Sequence, residues 1–136
     1  MKLVMVIDKE LPLGMIANTA AVLGISLSKM FPQDIVGPDV QDADGNTHIG
    51  ITSQTIPVLG GNREQIKEIR NRLFDAAFAD VATIDFSDVA QKSLEYDDYI
   101  GALSCLPSAD MYYLGICLYG PKKKINKLTG NIALLR

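Results

Sequence analysis

The sequence predicts an α/β fold: a single layered domain over residues 1–136, with a mixed β-sheet of about four main strands flanked by helices. Two observations predict this class. Apolar runs of strand length alternate along the chain with helical patterns, as layered α/β domains require. The length of 136 residues suits one domain with a full hydrophobic core, and the sequence has no internal repeat and no linker.

The first strand and helix supply much of this prediction. The run KLVMVI is apolar without alternation, which is typical of a central strand covered on both faces. Pro12 suits the first turn of the helix that follows. Spacings of three and four residues predict that one stripe of this helix faces the core: Leu13, Ile16, Ala20, Leu23, Leu27 and Met30. A second stripe, formed by Asn18, Val22 and Ile25, is predicted to be covered as well.

The remaining elements continue the alternation. A turn cluster at residues 42–46 predicts a tight hairpin, and IPVLGG predicts a strand. Asn62 and Gln65 predict the capped start of a helix. The segments VATIDF and MYYLGICLYG are typical of strands, whereas SDVAQKSL, DYIGALSCL and KKKINKLTG are typical of helical pieces, and IALL closes the chain. Because Tyr113 and Tyr119 share parity, we expect their side chains on one face of the last long strand.

Composition and charge argue against several partners. A formal net charge of -3 and an isoelectric point near 5.0 provide no overall basic field, so general binding to nucleic acids or membranes is not expected. Asp8, Lys9 and Glu10 interrupt the first apolar run, so we expect no signal peptide. Cys105 and Cys117 do not form a disulfide-rich pattern. We therefore expect a cytoplasmic protein with reduced thiols.

The loop DKELPLG is the predicted ligand site. In layered α/β domains, ligands bind where the carboxyl end of a strand meets the next helix, because free backbone N–H groups and the helix dipole favour an anion there. Asp8 ends the strand, and Gly14 could allow a ligand to approach the backbone. Asn18 has apolar neighbours, so its amide needs a partner such as a cap, a bound molecule or a subunit contact.

Both ends of the chain resemble the type II peptidyl-tRNA hydrolases. The first unit has a strand, a polar loop, a glycine and an Ala-rich helix, and the end YLGICLYGPKKKINKLTGNIALL is similar to the last strand, Gly-Pro exit, short helix and apolar tail of that family. The middle segment PVLGGNREQIKEIRNRLFDAAFADVATID has the strand, helix and strand in the same order. The resemblance covers about three quarters of the chain as a pattern of elements, and it implies that family's fold.

The residues that carry the family's chemistry differ here. The family helix opens with Gly-Lys and then presents a Gln and a His, whereas this sequence has Gly14, Met15, Thr19 and Val22 at those positions. Of the family's Asp-Ala-Gly-x-Thr segment, Asp85 alone is present. Losing a lysine that stabilises negative charge typically costs about a hundredfold or more in rate. The resemblance therefore implies little or no peptidyl-tRNA cleavage, as in an uncharacterised bacterial branch of that superfamily.

Other catalytic and metal-binding readings have little support. His48 is the only histidine, so a site with several histidines is impossible, and a Cys-His pair would have to use Cys105 or Cys117. Cys117 is predicted to lie in the core, whereas Cys105 follows a helical piece and has better access. The DADG segment does not fit a calcium loop, because Val40 and Ile51 would occupy positions that need carboxylates. We predict no metal and no cofactor.

Three functions stay open at this point. The first, which we favour, is a domain without hydrolase chemistry that binds a small ligand or partner at the loop from Asp8 to Gly14, with Asn18, Thr19 and Asp85 as further contacts.

The second function is hydrolysis of an ester or amide bond, peptidyl-tRNA included, with Asp85 or His48 in acid–base work and Cys105 as a candidate nucleophile. The third is a homodimeric interaction module that uses the stripe of Asn18, Val22 and Ile25.

Overall fold

The structure is a computed structural model that describes residues 1–136, except for the side chains of residues 32 and 34. Its main sheet has four strands: β1 (Lys2–Asp8), β4 (Val58–Gly61), β5 (Ala82–Ser87) and β6 (Tyr113–Gly120). The strand order is β4-β1-β6-β5. β1 pairs with β4 in parallel, and β6 runs antiparallel to both β1 and β5. The predicted α/β class with a mixed four-stranded sheet is therefore confirmed.

Six helices accompany the sheet: α1 (Leu13–Met30), α2 (Pro32–Ile35), α3 (Arg63–Arg72), α4 (Asp88–Lys92), α5 (Tyr96–Ser104) and α6 (Lys122–Thr129). The predicted hairpin is a separate two-stranded sheet of β2 (Val40–Gln41) and β3 (Thr47–His48). The capping box predicted from Asn62 and Gln65 is present at the start of α3. The final apolar piece pairs with the edge of β4, where the Gly60 N–H donates to the Ala133 carbonyl at 2.9 Å.

Two hydrophobic clusters lie on the two faces of the sheet. One cluster joins the strands to α3 and α6 through Ile66, Ile69, Ile125 and Leu128. The other joins them to α1 through Leu23 and Leu27. This three-layer arrangement explains why β1 is apolar without alternation, because both of its faces are covered.

The face of α1 that packs on the sheet differs from the predicted stripe. Its buried residues are Thr19, Leu23 and Leu27, whereas Leu13 is 82% exposed and Met30 is 52% exposed. The prediction was wrong at both ends because α1 is apolar nearly all round, so its spacing fits several faces and does not select one.

The second stripe of α1 is only partly covered within the described chain, and a cover by another subunit stays a prediction. Asn18 is exposed, Val22 is half-buried, and Ile25 is 76% exposed. Asn18 and Ile25 therefore face away from the sheet, whereas Val22 packs against the cluster on the α1 side.

The buried face of α1 is determined by a close approach to β6. Thr19 is fully buried and donates its hydroxyl to the Met15 carbonyl at 2.7 Å. Its methyl group lies against Gly115, where a Cβ atom would come within 2.8 Å of the Thr19 Cγ2. Only glycine at position 115 leaves room for this contact, because a β-branched side chain fixed in a helix cannot move aside easily.

A β-bulge in β6 reverses the expected orientation of one tyrosine. Phe86 pairs with Gly115 but Ser87 pairs with Tyr113, so Leu114 is an extra residue opposite β5. Tyr113 consequently packs on the α3 side of the sheet, and Tyr119 packs on the α1 side. The prediction that both tyrosines share one face was wrong, because parity holds only along an unbroken strand.

Within the described chain, α1 is also the helix long and apolar enough to cross a membrane, with a mean hydropathy of 1.3 over 18 residues. Core helices of folded domains meet the same criterion, and one face of α1 packs on the sheet. Length and composition alone therefore do not indicate a membrane span.

We expect Gly115→Ala to lower the free energy of unfolding by about 1–3 kcal/mol, because the new methyl overpacks against Thr19. Thr19→Ser removes that methyl and keeps the hydroxyl, so it should offset part of the loss in a double-mutant cycle measured by urea denaturation. Gly24→Ala is the matched control, since its Cβ would meet the Met5 Cε at an ordinary 3.8 Å. Strict additivity of the two changes would contradict the contact.

Candidate functional site

The carboxyl ends of three strands meet at one edge of the sheet. β1, β4 and β5 share one direction, because β1 is parallel to β4 and both β1 and β5 oppose β6. They end at Asp8, Gly61 and Ser87, and α1, α3 and α4 begin shortly afterwards. This edge of an α/β sheet is where ligands usually bind. It includes the loop that the sequence predicts as the site.

A cavity of about 250 Å³ opens at this edge. Five parts of the chain contribute to it: the loop after β1, the first turn of α1, the first turn of α3, α4, and the start of β6. The lining residues are Asp8, Leu11, Met15, Arg63, Asp88, Gln91, Lys92, Tyr112, Tyr113 and Leu114. Leu114 is the bulged residue of β6, so the irregularity in the strand turns a side chain toward this cavity.

Two cations from α3 lie over one aromatic ring of the site. The Arg63 guanidinium carbon is 3.6 Å from the centroid of the Tyr112 ring, and the Lys67 ammonium is 4.0 Å from it. One helical turn separates the two cations, so both can contact the same ring. Cation–π attraction holds the Arg63 side chain against Tyr112 and leaves its N–H donors available to a bound group.

The charged groups of the cavity are not paired with one another. In the part of the chain that the structure describes, neither Arg63 nor Lys92 has a carboxylate oxygen within 4.0 Å. Asp8 accepts a hydrogen bond from the Glu10 N–H at 3.0 Å, and Asp88 begins α4. Both carboxylates are half-buried. Two cations and two carboxylates therefore surround the cavity with unused hydrogen-bonding capacity.

Of the four predicted ligand contacts, one lines this cavity. Asp8 is in the lining, whereas Gly14 and Asn18 are exposed residues of α1 outside it. Thr19 is fully buried with its hydroxyl bonded to Met15, so it has a packing position and no access to a ligand. Ligand binding by Gly14 and Asn18 stays a prediction.

The cavity has positively charged side chains, although position 15 itself is an uncharged methionine. Met15, the residue that the resemblance matched to a lysine, lines the cavity. Arg63 and Lys92 line the same cavity, although they come from other elements. Positive charge therefore reaches this cavity from α3 and α4 and not from position 15.

Asp85 belongs to a different cluster on the α3 side of β5. Arg70 Nε donates to Asp85 Oδ2 at 2.7 Å, and both side chains are largely buried. Burial raises the pKa of Tyr99 and of Tyr113, and the nearby Asp85 carboxylate raises both further. Asp85 also lines a separate cavity of about 460 Å³, together with Val22 and the α4–α5 segment. The ion pair with Arg70 gives this carboxylate a structural partner.

The other catalytic candidates lie apart from the cavity. His48 is in the hairpin, where its Nε2 lies 2.9 Å from Asp42 Oδ2, and this contact is the main reason that the pKa of Asp42 is lowered. Cys105 is an exposed residue at the end of α5. In the described chain, the cavity lined by Asp85 includes neither His48 nor Cys105, and no three His, Cys, Asp or Glu side chains are grouped to hold a metal ion.

Four residues that line the cavity were not predicted from the sequence as site residues: Arg63, Asp88, Lys92 and Tyr112. A signal existed for Asp88, because it lies two residues after a predicted strand and near the start of a predicted helical piece, and for Arg63, because it directly follows a predicted helix cap. Neither signal shows that the two residues meet, since residues 63 and 88 come together only through the strand order.

We predict that one thiol reacts rapidly in the folded protein. Cys105 is exposed, whereas Cys117 is fully buried, and burial raises the pKa of Cys117 to about 12. A buried thiol with so little thiolate does not attack a disulfide reagent. A disulfide reagent should therefore titrate one thiol at neutral pH and two after denaturation in urea, and Cys105→Ser should remove the fast reaction. Rapid modification of two thiols in the native protein would contradict the burial of Cys117.

Comparison with known proteins agrees with this geometry at the level of the fold. A solved structure of a protein of unknown function, Atu0240 from Agrobacterium tumefaciens strain C58, is similar with a TM-score of 0.86 at 19% sequence identity, covering 98% of this chain and 96% of that one. No curated protein matches the chain. The model of the family described as "Protein of unknown function (DUF2000)" matches residues 1–136. The chain belongs to the DUF2000 family.

Proposed function

We propose that this protein binds a small molecule with both an anionic and a cationic or hydrogen-bond-donating group, in the cavity at the carboxyl edge of the sheet. One observation carries the proposal: two cations and two carboxylates line one cavity of about 250 Å³, with no ion pair between them in the described chain. Charges left unpaired in a concave site are available to a ligand.

Each charged group suits a part of such a ligand. Arg63 offers a planar pair of donors to a carboxylate or phosphate, and its stacking on Tyr112 limits the motion it would lose on binding. Lys92 adds a second positive charge. Asp8 and Asp88 can accept hydrogen bonds from an amine or hydroxyl at the other end. The balance of charges favours a zwitterion over a simple anion.

The size of the cavity limits the ligand. A volume of about 250 Å³ lies below the range of roughly 300–1,000 Å³ that holds drug-sized molecules. An amino acid or a metabolite of similar size would fit. This proposal keeps the small-molecule partner and the cytoplasmic setting expected from the sequence, and it moves the contacts from α1 to Asp8, Arg63, Asp88 and Lys92.

We expect a zwitterionic ligand to raise the melting temperature by about 5–10 °C at a concentration one hundred times its Kd. The probe is a panel of free amino acids and their phosphorylated forms, measured by differential scanning fluorimetry. Arg63→Gln should abolish the shift, because it removes the guanidinium that pairs with the anionic group.

The matched control for this experiment is Arg72→Gln, an exposed arginine at the other end of α3 that does not line this cavity. It should keep the full shift. A panel without any stabilising member, or equal shifts for wild type and Arg63→Gln, would contradict the proposed site.

Hydrolysis of an ester or amide bond is the second candidate function. It is supported by the presence of the Arg63 guanidinium beside the Asp8 and Asp88 carboxylates, since one group could stabilise developing negative charge while another moves a proton. The order of elements, from the first β-α unit to the exit of β6 at Gly120, also supports a fold of the type II peptidyl-tRNA hydrolase kind.

If the protein cleaves peptidyl-tRNA, Arg63→Gln and Asp88→Asn should each lower kcat/KM by about a hundredfold. The assay follows release of the peptide at high enzyme concentration. Asp85→Asn serves as the comparison variant, because Asp85 is paired with Arg70 outside the cavity. Cleavage that depends on Asp85 and not on Asp88 would contradict this arrangement, and absence of cleavage by the wild type would eliminate the hydrolase candidate for this substrate.

A further inference from the structure

The segment of residues 36–56 forms an arm that carries exposed apolar side chains. Its two short strands, β2 and β3, pair with each other and not with the main sheet in the described chain. Ile49 is 82% exposed and Ile51 is 79% exposed, and Val40 is also more than half exposed. Large apolar side chains left exposed on one short segment indicate a contact surface.

Hydrogen bonds within the arm give it a defined shape. Asp42 Oδ1 accepts the N–H groups of Asp44 and Asn46, each at 3.0 Å, and Asp42 Oδ2 contacts His48. The Gly50 N–H donates to Asp39 Oδ1 at 2.8 Å. The arm therefore presents Ile49 and Ile51 from an ordered scaffold, which lowers the entropy that binding would cost.

The exposed side of α1 is the matching surface on the same chain. Leu13 is 82% exposed and Ile25 is 76% exposed, with the exposed Ala17 and Ala21 between them. Only 17% of the residues of α1 are buried, although the helix has a mean hydropathy of 1.3 over its 18 residues. An apolar face of this length lacks a cover within the described chain.

The charges of the arm and of α1 are complementary. The arm has three carboxylates, Asp39, Asp42 and Asp44, and no lysine or arginine. The sequence of α1 contains no acidic residue and one cation, Lys29. The carboxylates of the arm therefore meet no like charge on α1, and Lys29 offers them one opposite charge, whereas two arms facing each other would bring like charges together.

We propose that two copies of this chain form a two-fold dimer in which the arm of each packs on the exposed face of α1 of the other. Both halves of the contact exist on every copy, so a two-fold axis produces it twice and closes the assembly. The arm follows α1 through the short α2, so each copy exchanges two neighbouring elements. This inference does not depend on the ligand proposed above.

Analytical ultracentrifugation at about 100 μM protein tests the dimer, since an interface of micromolar Kd is almost fully assembled there. The wild type should sediment with twice the monomer mass of 14.8 kDa. Ile25→Glu on α1 and the double variant Ile49→Ser/Ile51→Ser on the arm should each raise the dimer Kd at least about tenfold. All three positions are exposed, so the variants should fold as the wild type does, which circular dichroism checks.

Mixing the two variants separates arm exchange from other dimers. A pair made of one Ile25→Glu chain and one arm variant keeps one intact contact, between the wild-type arm and the wild-type helix, so the mixture should dimerise with a lower Kd than either variant alone. Leu94→Glu is the control. Leu94 is 95% exposed and belongs neither to the arm nor to α1, so its change should leave the dimer intact.

Three outcomes would overturn the proposal. A monomeric wild type at this concentration removes the dimer. A dimer that Ile25→Glu disrupts but that mixing does not restore would indicate contact between two α1 helices. A monomer that cosediments with phosphatidylglycerol vesicles through Ile25 would assign the exposed face to a lipid surface.

Discussion

The close contact between Thr19 of α1 and Gly115 of β6 determines how the longest helix of the protein lies on the sheet. It brings a long helix that is apolar on nearly every side to within van der Waals distance of a central strand. Because the Thr19 hydroxyl bonds to Met15 one turn earlier, the same contact fixes the first turns of α1. The orientation of α1 then determines which of its faces is buried and which is left exposed.

Two surfaces of the protein follow from that orientation. Toward its first turn, α1 presents Met15 to the cavity in which Arg63, Lys92 and the two carboxylates meet. On its outer side, it presents Leu13 and Ile25, which an isolated chain leaves in contact with water. The candidate binding site and the proposed dimer contact therefore both depend on the orientation of α1 on the sheet, and each uses a different side of this helix.

The sequence predicts the elements better than their relations. The strands, the hairpin and the cap at Asn62 are local patterns, and all are present. The buried face of α1 was predicted wrongly, because helical spacing alone cannot choose among several apolar faces. The face of Tyr113 was predicted wrongly because of the bulge at Leu114. Arg63 could not be assigned to the site from the sequence, because the strand order determines that Arg63 and Met15 line the same cavity.

A nuclear Overhauser measurement on isotopically labelled protein tests the orientation of α1 most directly. We expect a strong cross-peak between the Thr19 methyl protons and the Gly115 α-protons, and none between the Leu13 methyl groups and β6, since Leu13 is 82% exposed. If the Leu13 methyl groups contact β6 and the Thr19 methyl does not, α1 is rotated about its axis, and both surfaces described above are placed incorrectly.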